Sequence, residues 1–287
     1  MMMKAITREW FGVSRSDEFV IAPIGDMHVG NASADAHEKK LRALVERLAA
    51  MEHGYTLLMG DMAEYIGLKD KRFDPKSIAP WIRLSDLTDI AAVQSDRVID
   101  ILMPLIEKDR ILGVIKGNHE SSLERWQERD ISYDLAKRIK EMGGKQPRLL
   151  LGMSGWVVLK FHREKGKRAG TAVVKIFAHH GFVGGRLAGA KALNMQRLLW
   201  NHGADIVYMG HDHTARVQPE AIEEVDNGGN VVTRIRYGCS TGNWLGQAQY
   251  AKDAGYFPLP VGYVETVLRP RSAQAEDRMR HTPVTWG

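Results

Sequence analysis

The segment with the clearest structural signal is Phe19-Val20-Ile21-Ala22-Pro23-Ile24-Gly25-Asp26-Met27-His28. It begins with aliphatic residues typical of a buried strand and ends in a glycine, after which an aspartate and a histidine follow. Four more apolar runs, at 55–59, 111–115, 173–178 and 206–209, are also followed closely by a glycine and by aspartate, asparagine or histidine side chains. Each run predicts a buried strand, because β-branched and aliphatic side chains pack well on a pleated surface.

Helical patterns separate these predicted strands. Apolar residues recur at intervals of three and four over 36–51, 86–107 and 131–142, and each stretch predicts a helix with one apolar face. Strands that alternate with helices indicate an α/β core. After residue 214 the pattern changes to short strand-like runs at 231–237 and 262–268, which indicate antiparallel sheet. The polar residues 271–287 are expected to form a frayed tail.

The composition is that of an ordinary globular protein. Of the 287 residues, 44% are hydrophobic and 26% are charged, so disorder, collagen-like repeats and a disulfide scaffold are all excluded. The single Cys239 has no intramolecular disulfide partner. No apolar run reaches membrane-spanning length and the first residues lack a signal-peptide pattern, so we expect a cytoplasmic protein without membrane contact. We expect one domain over 1–270, followed by the polar tail 271–287.

Side chains that bind metals follow all five predicted strands. They are Asp26 and His28; Asp61; Asn118, His119 and Glu120; His179 and His180; and His211 and His213. In an open α/β sheet the carboxyl ends of the strands line one crevice, so we expect these side chains to converge. Taken singly, each motif is more often a turn than a site. Their joint occurrence favours a metal centre with ligands that suit Mn²⁺, Zn²⁺ or Fe rather than Ca²⁺.

This series resembles the calcineurin-like metallophosphoesterases. Their signature is Asp-X-His, Gly-Asp-X-X-Asp, Gly-Asn-His-Asp/Glu, a histidine closely followed by Gly or Pro, and Gly-His-X-His; all five blocks occur in this order between residues 25 and 213. The resemblance implies an α/β sandwich of two mixed β-sheets flanked by helices, and a metal-dependent phosphoester hydrolase. The blocks 70–74, 179–181 and 250–251 are similar to phage and prophage members of the family.

The resemblance also implies a ligand set. Asp26, His28 and His213 are expected to hold one metal ion, and Asp61 is expected to bridge it to a second. Asn118, His211 and one histidine of the 179–180 pair are expected to hold the second ion. The family pattern favours His179 as that ligand and leaves His180 as the alternative. Two divalent ions are implied, Mn²⁺ first, with Fe, Zn²⁺ and Ni²⁺ as alternatives.

The implied chemistry is in-line displacement at phosphorus. Two metal ions about 3.5–4 Å apart can share a bridging hydroxide and clamp the phosphate oxygens. By the same resemblance His119 protonates the leaving oxygen or stabilises charge there, since an imidazole can do so near neutral pH. Glu120 either hydrogen-bonds an imidazole or interacts with the dipole of a helix that starts here.

The chain also departs from the family pattern. Glu64 stands where Gly-Asp-X-X-Asp has its second aspartate, and no arginine follows it, which argues against the protein Ser/Thr phosphatases of this superfamily. The interval from Asp61 to Asn118 is long, so we expect a cap-like insertion over about 65–97 at the mouth of the crevice. Arg72 of this insertion and Arg186 of a glycine-rich loop are expected to contact substrate. The alternative is a helical excursion with Trp81 and Phe73 as packing residues.

Three functions follow from these observations. The first is a phosphodiesterase or nuclease, favoured by the net charge of +5 and by the basic groups of the insertion. The second is a phosphomonoesterase that acts on a nucleotide or another small metabolite. The third is a non-catalytic metal-binding scaffold, a version that normally loses metal ligands or the Asn-His pair, both of which are present here. The expected partner is a phosphoester, with nucleic acid as one candidate, and the oligomeric state stays open.

Overall fold

The computed structural model describes residues 5–68, 70–182, 187–226, 228–246, 255, 258–274 and 277–286. The strands are β1 (Ile6–Phe11), β2 (Phe19–Ile21), β3 (Gly54–Leu58), β4 (Ile111–Ile115), β5 (Leu150–Gly152), β6 (Ser154–His162), β7 (Ala172–His179), β8 (Ile206–Met209), β9 (Ala215–Val225), β10 (Val231–Asn243), β11 (Val261–Leu268) and β12 (Met279–Trp286). The α-helices are α1 (Ala32–Asp35), α2 (Glu38–Ala50), α3 (Ile90–Glu107), α4 (Asn118–Gln127), α5 (Ile131–Met142) and α6 (Ala188–Asn201), and 3₁₀ helices span Pro75–Ser77 and Leu84–Asp89.

The strands form two mixed sheets that are joined through β10. The first sheet has the order β1-β6-β7-β8-β10-β9, and the second has the order β12-β11-β2-β3-β4-β5. The last two residues of β10 leave the first sheet and pair with β11, where Gly242 lies opposite Tyr263. A Cβ at Gly242 would collide with the carbonyl oxygen of Gly262, and its φ is +84°, so glycine is required at this crossing.

The two sheets pack face to face, and helices cover their outer faces. Ile21, Leu57 and Leu112 of the second sheet share one apolar cluster with Val157 and Ile176 of the first. Helices α2, α3 and α5 bury their apolar stripes against the other face of the second sheet. Helix α6 covers the outer face of the first sheet. The predicted α/β sandwich of two mixed sheets flanked by helices is therefore confirmed.

The expected helix over 86–107 and the expected tail over 271–287 both differ from the observed structure. The helix expected over 86–107 begins at Ile90, because the side chain of Asp89 accepts from the backbone N–H of Ala92 and caps it there. The tail expected over 271–287 contains β12, which pairs with β11 along its whole length. Trp286 at its end packs against Trp244 and Tyr263. Polar residues on an edge strand conceal this pairing from a hydropathy pattern.

The segment 65–97, expected as a cap-like insertion, contains two 3₁₀ helices and the first turns of α3 among its described residues. Trp81 is partly buried against the helical side of the core, with the guanidinium of Arg97 5.4 Å from its ring centre. Trp81 is thus a packing residue, as the alternative interpretation has it, whereas Phe73 lines a cavity beside the strand ends. Among the residues that the structure describes, no helix combines the length and apolar character needed to cross a bilayer.

Candidate metal centre

The loops after β2, β3 and β8 have an unusual backbone conformation at the predicted ligands. Positive φ angles occur at Asp26 (47°), His28 (47°), Asp61 (50°), His211 (67°) and His213 (54°). A left-handed conformation costs an L-residue roughly 1–2 kcal/mol, and such strain concentrates at functional sites. Backbone hydrogen bonds between neighbouring loops hold it in place, including Asp26 N–H to Gly60 O at 2.9 Å.

Asp26, His28 and His213 form the first cluster of the centre. Their ligand atoms lie within 4.8 Å of one another, and Nε2 of His213 is 3.3 Å from Oδ1 of Asp26. Asp26 is 0% exposed and His28 is 2% exposed. Within the described part of the chain, Oδ1 of Asp26 and Nε2 of His28 have no hydrogen-bond partner. Buried acceptors of this kind are costly unless paired, and a cation would satisfy both.

Asp61, His180 and His211 form the second cluster, and Asn118 completes it. The ligand atoms of the first three lie within 4.8 Å of one another. One end of the Asn118 amide lies 2.7 Å from Nδ1 of His211, 2.9 Å from Nε2 of His180 and 3.1 Å from Oδ2 of Asp61. An amide oxygen at this end, together with the carboxylate and the two imidazoles, could surround a cation, so the donor set fits a metal ion.

The carboxylates of the centre stabilise positive charge. Burial raises the pKa of Asp61, but the imidazoles of His180 and His119 outweigh it and hold this pKa well below its ordinary value. Burial lowers the pKa of His180, but the charge of Asp61 outweighs it and raises the pKa to about 10. The same carboxylates therefore attract a divalent cation to this place.

The structure brings His180, rather than His179, into the second cluster. Nδ1 of His180 is 2.8 Å from the carbonyl oxygen of Met59, which leaves Nε2 to face Asp61 and Asn118. His179 is the last residue of β7, and its Nδ1 accepts from the N–H of Gly181 at 2.8 Å. Burial lowers the pKa of His179 to about 4. Because successive side chains of a strand face opposite sides, the geometry favours His180, against the preference for His179 derived from the sequence.

We expect His180→Ala to lose metal and His179→Ala to retain it. Only the first substitution removes a nitrogen that faces the ligand atoms of Asp61 and His211. Metal content per chain after dialysis against a weak chelator, measured by mass spectrometry, compares the two adjacent variants directly. Equal metal loss in both, or loss confined to His179→Ala, would contradict the assignment.

Glu64, for which the sequence indicated no role, hydrogen-bonds the imidazole rings of both His28 and His119. Oε2 of Glu64 lies 3.1 Å from Nδ1 of His28, so Nε2 of His28 is the nitrogen free to bind metal. The carbonyl oxygen of Glu64 accepts from Nδ1 of His119 at 2.5 Å. This bond fixes the ring of His119 next to that of His28, with 4.8 Å between ring centres. The departure from the family pattern thus supplies a carboxylate at the right place to orient a ligand.

Glu120, expected among the catalytic residues, has a different role. Its two carboxylate oxygens accept from the backbone N–H groups of Gly117 (3.0 Å), Asp61 (3.0 Å) and Met62 (2.8 Å). No imidazole is among its hydrogen-bond partners in the described residues. Burial, followed by the charge of Asp61, raises the pKa of Glu120 to about 7. Glu120 is therefore a positioning residue that ties the loop after β3 to the start of α4.

Of the two arginines expected to contact substrate, the structure describes only Arg72. Arg72 lies near the centre, where it lines the same cavity as His119, but its guanidinium binds the carboxylate of Asp70, with Nη2 and Oδ2 2.7 Å apart. Arg186 and residues 250–251 lie outside the described residues, so their expected roles stay predictions.

Asp212 accepts from Thr214 N–H at 3.0 Å and from Ser240 Oγ at 2.9 Å, and it thereby holds the turn that carries His211 and His213.

A cavity of about 310 Å³ adjoins the metal centre on the side of His119. We call it the His119 cavity; it is lined by residues of the insertion, by Gly30 and Asn31, and by Glu64 and His119. Its volume falls within the range of small-molecule sites. The sequence indicated an insertion at this edge but not the cavity, whose walls come from three separate segments.

Comparisons with known proteins give one family match and several similar solved structures. A family model described as calcineurin-like phosphoesterase matches residues 19–215. No curated protein matches the chain. Among solved structures, Vps29 from Entamoeba histolytica complexed with zinc is 16% identical, with 93% of this chain and 99% of that one covered and a TM-score of 0.39. A predicted phosphoesterase from Streptococcus pneumoniae is 11% identical, with 93% and 99% covered and a TM-score of 0.33.

Proposed function

The chain belongs to the calcineurin-like phosphoesterases and is a metal-dependent phosphoester hydrolase, and from this premise we propose that it cleaves phosphodiesters with two divalent cations. The proposed ligands of one cation are Asp26, His28 and His213. Those of the other are Asn118, His180 and His211, with Asp61 shared between them. Mn²⁺ is the proposed metal, and Fe, Zn²⁺ and Ni²⁺ accept the same donor set. Bound cations would acidify water and neutralise charge on the phosphate oxygens.

His119 is the proposed proton donor to the leaving oxygen. Its Nδ1 is engaged by the carbonyl oxygen of Glu64 at 2.5 Å, so the opposite ring nitrogen, Nε2, is the one available to substrate. Its backbone N–H donates to Oδ1 of Asp61 at 2.9 Å, which fixes the residue relative to the second cluster. An imidazole held in this way can transfer a proton near neutral pH.

The observation that favours a diester over a monoester is the charge of the His119 cavity. Apart from the proton donor His119, Arg72 is the one cationic side chain among the described residues that line it, and this guanidinium is already paired with Asp70. A monoester phosphate carries up to two negative charges and gains from free cations beside the metal centre, whereas a diester phosphate carries one. The cavity therefore supports hydrolysis of a singly charged phosphodiester with a bulky leaving group; nucleic acids are one source of such diesters.

Metal-dependent turnover tests this proposal. Metal-stripped protein is assayed with a bis-aryl phosphodiester and with the matching aryl monoester, before and after addition of Mn²⁺, Zn²⁺, Fe²⁺ or Ni²⁺. We expect diester hydrolysis that requires added metal and is lost in Asn118→Ala. Hydrolysis of the monoester alone would overturn the diester assignment, and turnover with neither substrate despite two bound metal ions would support the scaffold alternative.

A further inference from the structure

We propose that the His119 cavity binds the leaving group of the diester and selects an uncharged nucleoside there; this inference rests on the proposed function. His119, the proposed proton donor, lines both the metal centre and this cavity. The oxygen that it would protonate therefore lies at the cavity mouth, and the group attached to that oxygen extends inward. The walls of the cavity then determine which leaving groups fit.

The walls favour a flat apolar group. Phe73, Ile66, Ile78 and Ile90 line the cavity, so much of its surface is aromatic or aliphatic. Its volume of about 310 Å³ is sufficient for a small organic ligand. A nucleobase presents two apolar faces, and contact between a base and an aromatic side chain contributes roughly 1–3 kcal/mol.

One wall carries a fixed hydrogen-bond donor. Gln94 is 1% exposed and lines the cavity, and its Oε1 accepts from the backbone N–H of Tyr65 at 2.7 Å. That bond fixes the amide orientation, and Nε2 meets no acceptor among the described residues. Gly30 makes room for this amide, since a Cβ at Gly30 would collide with Nε2. The amide N–H₂ group is thus left to face the cavity, where the donor suits a ring nitrogen or carbonyl oxygen of a heterocycle.

The charges of the cavity disfavour a second phosphate. Two carboxylates line the cavity, that of Glu64, whose Oε2 lies 3.1 Å from Nδ1 of His28, and that of Asp74, which caps the 3₁₀ helix Pro75–Ser77. The positive charge of Arg72 is balanced by Asp70, with Nε and Oδ1 3.1 Å apart. The carboxylates therefore outnumber free cations at this surface. A leaving group with its own phosphate would be repelled, whereas a nucleoside carries no charge.

The direction of cleavage of thymidine 5′-methylphosphate tests the assignment. Its phosphorus carries two alkoxy groups, and water can displace either one. Breaking the P–O5′ bond gives thymidine and methyl phosphate, with the proton delivered to the nucleoside oxygen. Breaking the other P–O bond gives thymidine 5′-phosphate and methanol. The ratio of the two nucleoside products, separated by chromatography, reports which group occupies the cavity and does not depend on the overall rate.

We expect Mn²⁺-loaded wild-type protein to release thymidine over thymidine 5′-phosphate by at least about tenfold. Phe73→Ala should bring the ratio towards one, and Phe73→Tyr should keep it. Gln94→Met, which preserves side-chain length without the donor, should lower the ratio as a second variant. Methanol release as the main reaction, or a ratio unchanged in Phe73→Ala and Gln94→Met, would overturn the inference while leaving the phosphodiesterase intact. Absence of both products with every metal would overturn the inference if the bis-aryl phosphodiester is hydrolysed, and would refute the proposed function if it is not.

Discussion

Asp61→Asn is expected to lower kcat for a phosphodiester by at least about 10³-fold and to prevent the binding of two cations. The substitution keeps the size of the side chain and retains an oxygen to accept from the N–H of His119. It removes the negative charge that faces His180 and Asn118 at the second cluster. The loss is large because this carboxylate is the proposed shared ligand, so its removal weakens both cation sites together.

Metal stoichiometry and turnover, measured on the same preparation, check this expectation. Asp96→Asn is the matched control, since Asp96 lies on the surface of α3 and pairs with Arg138 at 2.8 Å. The control should bind two cations and turn over at the wild-type rate. Two bound cations with near-normal turnover in Asp61→Asn would show that Asp61 is not the shared ligand.

His119→Ala is expected to lower kcat by about 10²–10⁴-fold on diesters with alkoxide leaving groups while both cations stay bound. An alkoxide leaves only with a proton, whereas a nitrophenolate leaves as a stable anion. The decrease should therefore be less than about tenfold on an aryl diester. The backbone N–H that donates to Asp61 is unchanged by this substitution, so the ligand geometry should persist.

Comparison of the two leaving groups in one variant separates proton donation from general damage. His53→Ala provides the control, because His53 packs on Phe19 before β3 begins and so lies at the opposite end of that strand from Asp61. It should affect the two substrates equally. Full activity of His119→Ala on the alkoxide substrate would remove this residue from the proposed mechanism.

The parts predicted from sequence are those with a local signal. The strands at β2, β3, β4, β7 and β8 are marked by continuous apolar runs, and polar side chains after each run indicated a shared crevice. The choice between His179 and His180 lacked such a signal. It depends on the pairing of β7 with β6, which places Ser154 opposite His179 and sets the side to which each histidine points.

Other features depend on contacts that are distant in sequence. Glu120 binds the backbone of Asp61 and Met62, nearly sixty residues earlier, and nothing in its neighbourhood distinguishes this from a helix-start carboxylate. The donor in the His119 cavity requires Gly30 next to Gln94, two residues that no local pattern connects. Strand β12 forms only because β11 offers it an edge. Tertiary pairing decides each of these features.

Each ligand cluster combines side chains from both sheets of the sandwich. In the first, Asp26 and His28 follow β2 of the second sheet, and His213 follows β8 of the first. A cation bound there would cross-link two halves of the chain that are also joined by apolar packing, by the crossing of β10 and by hydrogen bonds such as that from Tyr208 to Thr266. Its binding free energy then adds to the resistance of the protein to unfolding, by about 2.7 kcal/mol at a free concentration 100 times Kd. Chelation of the proposed ions should therefore lower the stability of the contact between the sheets as well as end turnover.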